Sequence, residues 1–127
     1  MAVSAKNEPV LSIENLHVEF PTRNGPLKVL DDVSFSVAPG EVLGVVGESG
    51  AGKSMTGASV IGLLPPPSRI VSGQIRLNGR RIDNLSPEDM RALRGREVGT
   101  IFQDPMTSLD PLFTVEDQLV ETLRTHF

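Results

Sequence analysis

Gly47-Glu48-Ser49-Gly50-Ala51-Gly52-Lys53-Ser54 is the stretch that decides the reading of this chain. It satisfies G-x-x-x-x-G-K-[ST] in full, between an apolar run at 41–46 and a segment that reads as a helix over 53–64. A triphosphate is densely anionic and needs many donors at short range. Glycines at 47, 50 and 52 permit backbone conformations closed to other residues and let the main chain approach phosphate oxygens. The amides from about Gly50 to Ser54 then form an anion nest at the positive end of the helix. Lys53 brings a mobile charge to the β- and γ-phosphates, and the Ser54 hydroxyl ligates Mg²⁺. The nucleotide-binding set is therefore Gly47, Glu48, Ser49, Gly50, Ala51, Gly52, Lys53, Ser54 and Met55. The rival reading is a glycine-rich turn that happens to precede a lysine. A chance match in a chain this long is on the order of a few in a thousand.

Working outward, residues 10–20 place Leu11, Ile13, Leu16, Val18 and Phe20 among polar neighbours, as in a half-buried strand. Asn24-Gly25 is a turn pair, and Val33, Phe35 and Val37 alternate within 29–37, so an antiparallel pair is expected. Pro39-Gly40 marks a second turn. The runs at 41–46 and 98–102 are apolar without alternation, the pattern of strands buried on both faces. The helix after the phosphate loop is expected to stop at Pro65-Pro66-Pro67. Residues 73–77 read as a strand, with Asn78-Gly79 as its turn. Ser86-Pro87-Glu88-Asp89 reads as a helix start, and Thr114 with Asp117 as the cap of a last amphipathic helix running to Phe127. Strand, phosphate loop, helix and strand make a βαβ unit whose parallel sheet looks unfinished.

The composition fits one soluble domain. Of 127 residues, 39% are hydrophobic, and mean hydropathy is −0.04. No apolar run approaches the length that spans a bilayer, and no secretory signal opens the chain. There is no cysteine, hence no disulfide framework or thiolate metal site. Formal charge is −4, without the basic footprint of a nucleic-acid binder. Arg76, Arg80, Arg81, Arg91, Arg94 and Arg96 fall close together, but Asp83, Glu88, Asp89 and Glu97 interleave with them, which favours a solvated mixed-charge surface over an anion patch.

Two further residues carry chemistry by position. Gln103 leaves the apolar run that follows the phosphate-loop helix, where a neutral amide can reach Mg²⁺ or an attacking water; the bland alternative is a structural loop residue. Phe20 ends its strand, as a core residue or as a flat ring that stacks on adenine. His17 and His126 have no partner at ligand spacing. In the loop after Gln103, Met106, Leu109 and Leu112 are apolar, and either fold back onto the domain's own core or meet a partner.

The runs 44–54 and Ile101-Phe102-Gln103-Asp104-Pro105-Met106-Thr107-Ser108-Leu109-Asp110-Pro111 resemble the ATPase subunits of ABC transporters, and within them the bacterial oligopeptide, dipeptide and nickel import branch. The phosphate loop is shared by many NTPases, whereas 103–111 is far more specific to this branch. The resemblance covers about residue 10 to the end. It implies an α/β, RecA-like P-loop NTPase core with an N-terminal antiparallel β subdomain, the helical subdomain incomplete. Residues 1–9 would be a flexible leader and 10–127 the N-terminal part of one nucleotide-binding domain. It makes Phe20 the adenine-stacking aromatic and Gln103 the Q-loop glutamine, a catalytic and Mg²⁺-contacting residue beside Lys53 and Ser54. It implies ATP and Mg²⁺ as cofactors, and as partners membrane permease subunits, a second ATPase subunit and, indirectly, an extracytoplasmic solute-binding protein. Nucleic acid is not an expected partner. The place would be the cytoplasmic face of the inner membrane. The family's Leu-Ser-Gly-Gly-Gln signature, Walker B run and switch histidine are not found in these residues; alone, they would hydrolyse little ATP. Rivals are a soluble ABC ATPase of DNA repair or translation, and a nucleotide-binding fragment without catalysis.

Overall fold

In a strand, side chains alternate between faces, so a three-residue step between two core positions must be absorbed somewhere. β1 (Leu11–Thr22) makes such a step from Ile13 to Leu16. The computed structural model, which describes residues 8–48, 50 and 52–127, shows how. Ile13 pairs with Phe35 and Leu16 with Val33 on β2 (Gly25–Val37), so β1 spends one residue more than its neighbour. The extra residue is Asn15, a bulge with φ of 48°. Its N–H donates to Ser34 Oγ at 2.8 Å, and its Nδ2 donates to Asp32 Oδ1 at 2.7 Å. The phase is restored, and Ile13, Leu16 and Val18 are all buried.

β3 (Arg69–Leu77) lies along the other edge of β1, and β4 (Arg80–Arg81) turns back on it after Asn78-Gly79. The sheet order is β2-β1-β3-β4, antiparallel throughout. Gly73 sits opposite the bulge with φ of 89°, and a Cβ there would lie 2.3 Å from the Asn15 carbonyl oxygen. Leu30, Ile75, Leu77 and Ile82 join the three β1 residues in the core. Each such side chain is worth about 1.5–3 kcal/mol on burial. The expected turn at 24–25 forms, with Gly25 at φ of 107°.

Beyond β4, Asp83 fastens the hairpin. Its side chain is 6% exposed, and Oδ1 accepts from Ile75 N at 2.9 Å and from Arg81 Nε at 3.0 Å. Arg81 Nη2 donates to Oδ2 at 3.0 Å. Burial raises the Asp83 pKa, but the Arg81 hydrogen bonds, the Ile75 N–H and the guanidinium charge together hold it below its ordinary 3.8.

α1 (Lys53–Val60) follows the phosphate loop. It ends four residues before the expected limit and does not wait for the prolines. Gly62, at φ of 68°, closes it: Leu63 N donates to Ala58 O at 2.9 Å and Gly62 N to Ser59 O at 3.3 Å, a Schellman pair.

The chain forms two compact units, one up to Ser86 and the other Pro87–Phe127. The second contains α2 (Pro87–Leu93), a 3-10 turn at Pro105–Thr107 and α3 (Val115–His126). Thr114 caps α3 as expected, its Oγ1 accepting from Asp117 N at 3.1 Å. Gly95, past α2, packs against the His126 ring at the end of α3.

Two expected strands do not form. Residues 41–46 and 99–102 are not strands, and Val46 (94% exposed) and Ile101 (93%) stand in the open. A strand needs a neighbour for its backbone groups. Among the described residues none lies beside 41–46, and the run at 98–102 has only the bridge from Val98 to Arg94. Residues 1–7 of the expected leader, with Ser49 and Ala51, lie outside the described residues.

Gly73→Ala should lower unfolding free energy by at least about 2 kcal/mol, since it forces a positive φ and a backbone clash together. Urea titration measures it, and an unchanged midpoint would disprove the close approach at Asn15. Because the Asp83 pKa is depressed, its contribution is present above about pH 4 and drains away as pH falls through the folded-state value. Asp83→Asn should therefore flatten the loss of stability between about pH 5 and 2 relative to the parent chain. Denaturation at stepped pH values checks the slope, and parallel curves would reject the assignment.

Candidate functional site

The phosphate loop is carried by β2 as much as by its own helix. Gly52, the residue before α1, holds φ of 91°. A Cβ there would lie 2.5 Å from Leu30 Cδ2 and 3.4 Å from the Val29 carbonyl oxygen. Glycine is required at this point twice over, by the dihedral and by the wall of β2 behind it. Gly50 also takes a positive φ, of 85°, with open space where a side chain would be.

Gly52 has no side chain to cap α1, and no acidic residue stands in the first turn. The amides at the start of α1 therefore keep their donors, beside the positive end of the helix dipole. Further along, Thr56 Oγ1 donates to Gly52 O at 2.8 Å and Ser59 Oγ to Met55 O at 2.7 Å. These hydroxyls satisfy themselves within the helix, so its inner face is buried although it is polar.

Lys53 folds back over the loop. Its Nζ donates to the Gly47 carbonyl and, at 3.2 Å, to the Glu48 carbonyl. Lys53, Ser54, Gly47 and Glu48 are exposed, and Met55 is half-buried. A cation, an uncapped helix start and two positive-φ glycines thus share one loop, a donor set suited to phosphate. Among the described residues no three His, Asp or Glu side chains gather to hold a metal ion. Magnesium that bridges phosphates needs only one or two protein oxygens, which the Ser54 hydroxyl fits.

Phe20 is 37% exposed and pairs with Leu27. It stands two residues along β1 from Val18, whose partner is Leu30, the residue against Gly52. It lies two residues before β1 ends at Thr22, partly exposed and outside the buried core.

Gln103 belongs to the second unit, in an exposed loop. Thr107 Oγ1 donates to Asp104 O at 3.0 Å and Ser108 N to Pro105 O at 3.1 Å, so the segment after it is a string of local turns. Met106, Leu109 and Leu112 are exposed and do not fold back onto a core. The residue that sequence reasoning misses is Gln118, on α3. Its amide hydrogen-bonds to Asp110, Phe113 and Thr114. No periodicity points to it, because the partners are backbone groups.

The arginines disperse. Arg76 donates to Gly79 O and Gln74 Oε1, Arg81 is tied to Asp83, and Arg91 and Arg96 are exposed beside Glu88. His17 Nδ1 lies 3.3 Å from Asp31 Oδ1. No helix among the described residues is long and apolar enough to cross a membrane.

Comparison with known proteins agrees with this geometry. The chain is 48% identical over 120 residues to the dipeptide transport ATP-binding protein DppD of Bacillus subtilis, covering 94% of this chain and 36% of that protein. It is 41% identical over 117 residues to DppD of Escherichia coli, covering 92% and 36%. The chain thus spans about a third of the length of the curated relatives it matches. Among solved structures, the dimeric ABC transporter cassette MJ0796 superposes with a TM-score of 0.79 at 20% identity, over 92% of this chain and 48% of that one. At that identity the likeness is one of fold. An Atm1-family exporter solved with ATP bound gives a TM-score of 0.53 at 29% identity, over 71% and 15%. The family model described as ABC transporter matches residues 30–126, from the β2 wall through the phosphate loop and Gln103 to the end of α3, and the chain belongs to that family.

Proposed function

We propose that this chain is the N-terminal part of the ATP-binding subunit of a peptide importer, in which ATP hydrolysis drives solute uptake. The observation that carries this reading is a phosphate-loop motif complete in sequence, with Lys53 donating to the Gly47 and Glu48 carbonyls at an uncapped helix start. The relatives named as dipeptide transport proteins support peptides or similar small solutes as cargo. Residues 10–127 form part of one nucleotide-binding domain. Its partners are permease subunits in the membrane and a second ATPase subunit, with a solute-binding protein acting upstream. It works at the cytoplasmic face of the membrane.

The roles follow from chemistry. Amides of the loop and of the first turn of α1 hold the phosphate oxygens. Lys53 trades part of its hold on the Gly47 and Glu48 carbonyls for the β- and γ-phosphates. Ser54 would offer its hydroxyl to magnesium, which would supply charge neutralisation at the phosphates. Phe20 stacks on the adenine. Gln103 would offer its amide to magnesium or to the attacking water, and the apolar side chains after it would meet a membrane subunit, linking ATP contact to the transport path.

Lys53→Ala in the full-length protein should cut ATP turnover by orders of magnitude while circular dichroism stays unchanged. Undiminished hydrolysis would remove the phosphate loop from the mechanism. Phe20→Ala should weaken ATP binding by about 1–2 kcal/mol, and Phe20→Trp should be tolerated. Calorimetric titration with ATP measures both; a drop in melting temperature with unaltered affinity would make Phe20 purely structural.

A further inference from the structure

Gln118 lies in the first turns of α3 and is half-buried. Its Oε1 accepts from Asp110 N at 2.9 Å, and its Nε2 donates to Asp110 O at 3.0 Å. The same nitrogen reaches Phe113 O at 3.1 Å and Thr114 O at 3.3 Å. Two amide hydrogens are thus shared among three carbonyl oxygens. The two contacts to Asp110 form the reciprocal pair of hydrogen bonds that one peptide makes with another in an antiparallel sheet, here made by a side chain. Rotating the amide by half a turn would set oxygen against three carbonyls, so the pattern also fixes its orientation.

Upstream of Asp110 the loop holds itself together by local turns. Asp110 organises the residues on its C-terminal side: its Oδ1 accepts from Leu112 N at 2.9 Å and its carbonyl from Phe113 N at 3.3 Å. A segment with only local turns, exposed throughout, stays where it is only if its end is fixed. Gln118 supplies that fixture. We propose that Gln118 is the positioning residue of the loop that carries Gln103, tying residues 110–114 to α3 as one body. This rests on the proposed role of Gln103 at the magnesium and the attacking water.

The test uses the full-length protein with two variants. Gln118→Glu keeps size and acceptor but turns a donor into an anionic oxygen facing three carbonyls; Gln118→Met keeps volume and removes both functions. Each should speed amide exchange at residues 110–114 by about tenfold or more, with α1 unaffected. In both, kcat for ATP should fall by about tenfold while KM for ATP stays within about twofold, since the phosphate loop is intact. A Gln118 that served stability alone would lower the melting temperature without that split between kcat and KM, and such a result overturns the proposal. So does unchanged exchange at 110–114. Gln103→Ala runs alongside. If Gln103→Ala lowers kcat and Gln118→Glu does not, the positioning role alone is lost. If Gln103→Ala has no effect on kcat, the reading of Gln103 falls and the positioning role falls with it.

Discussion

β1 must keep its apolar side chains on one face while taking an odd step between two of them, and every other part of the first unit is arranged around that constraint. The bulge at Asn15 absorbs the step, and both neighbouring strands register against it. On one side Asp32 and Ser34 satisfy the polar groups the bulge releases. On the other, Gly73 lets β3 come into backbone contact with it. With a side chain at 73, β3 would have to withdraw, and the Ile75 and Leu77 side of the core would open with it.

The site inherits this geometry. Val18, the core residue past the bulge, is paired with Leu30, and Leu30 is the surface on which Gly52 rests. The position of the phosphate loop is therefore set from the sheet outward. The loop contributes its own dihedrals, but the wall that fixes its entry into α1 belongs to β2. Phe20 extends the same strand toward solvent, so the ring and the loop take their places from one sheet.

Much of this is legible from residues alone, because the signals are local. G-x-x-x-x-G-K-[ST] names its own backbone and charge requirements, and Thr114 with Asp117 names its own cap. The step from Ile13 to Leu16 is visible as an interruption of period two, but the alternation on either side of it masks the bulge. The expected end of α1 is wrong because prolines at 65–67 are louder than Gly62, which closes the helix first. Residues 41–46 and 98–102 carry strand composition, but a strand is a relation between segments, and composition cannot supply the partner. Gln118 is invisible for the opposite reason: its bonds are to main-chain atoms, which every sequence has.

The exposed run at 41–46 has a consequence for how this protein behaves as a material. Val42, Val45 and Val46 are β-branched, glycine interrupts them once, and only Glu41 brings charge. A segment of that kind, with no strand beside it among the described residues, is a template onto which another extended segment can add. The net charge of −4 gives modest repulsion to oppose it. The run at 41–46 is thus a place where concentration and salt act on the chain directly, by favouring or opposing the addition of another extended segment.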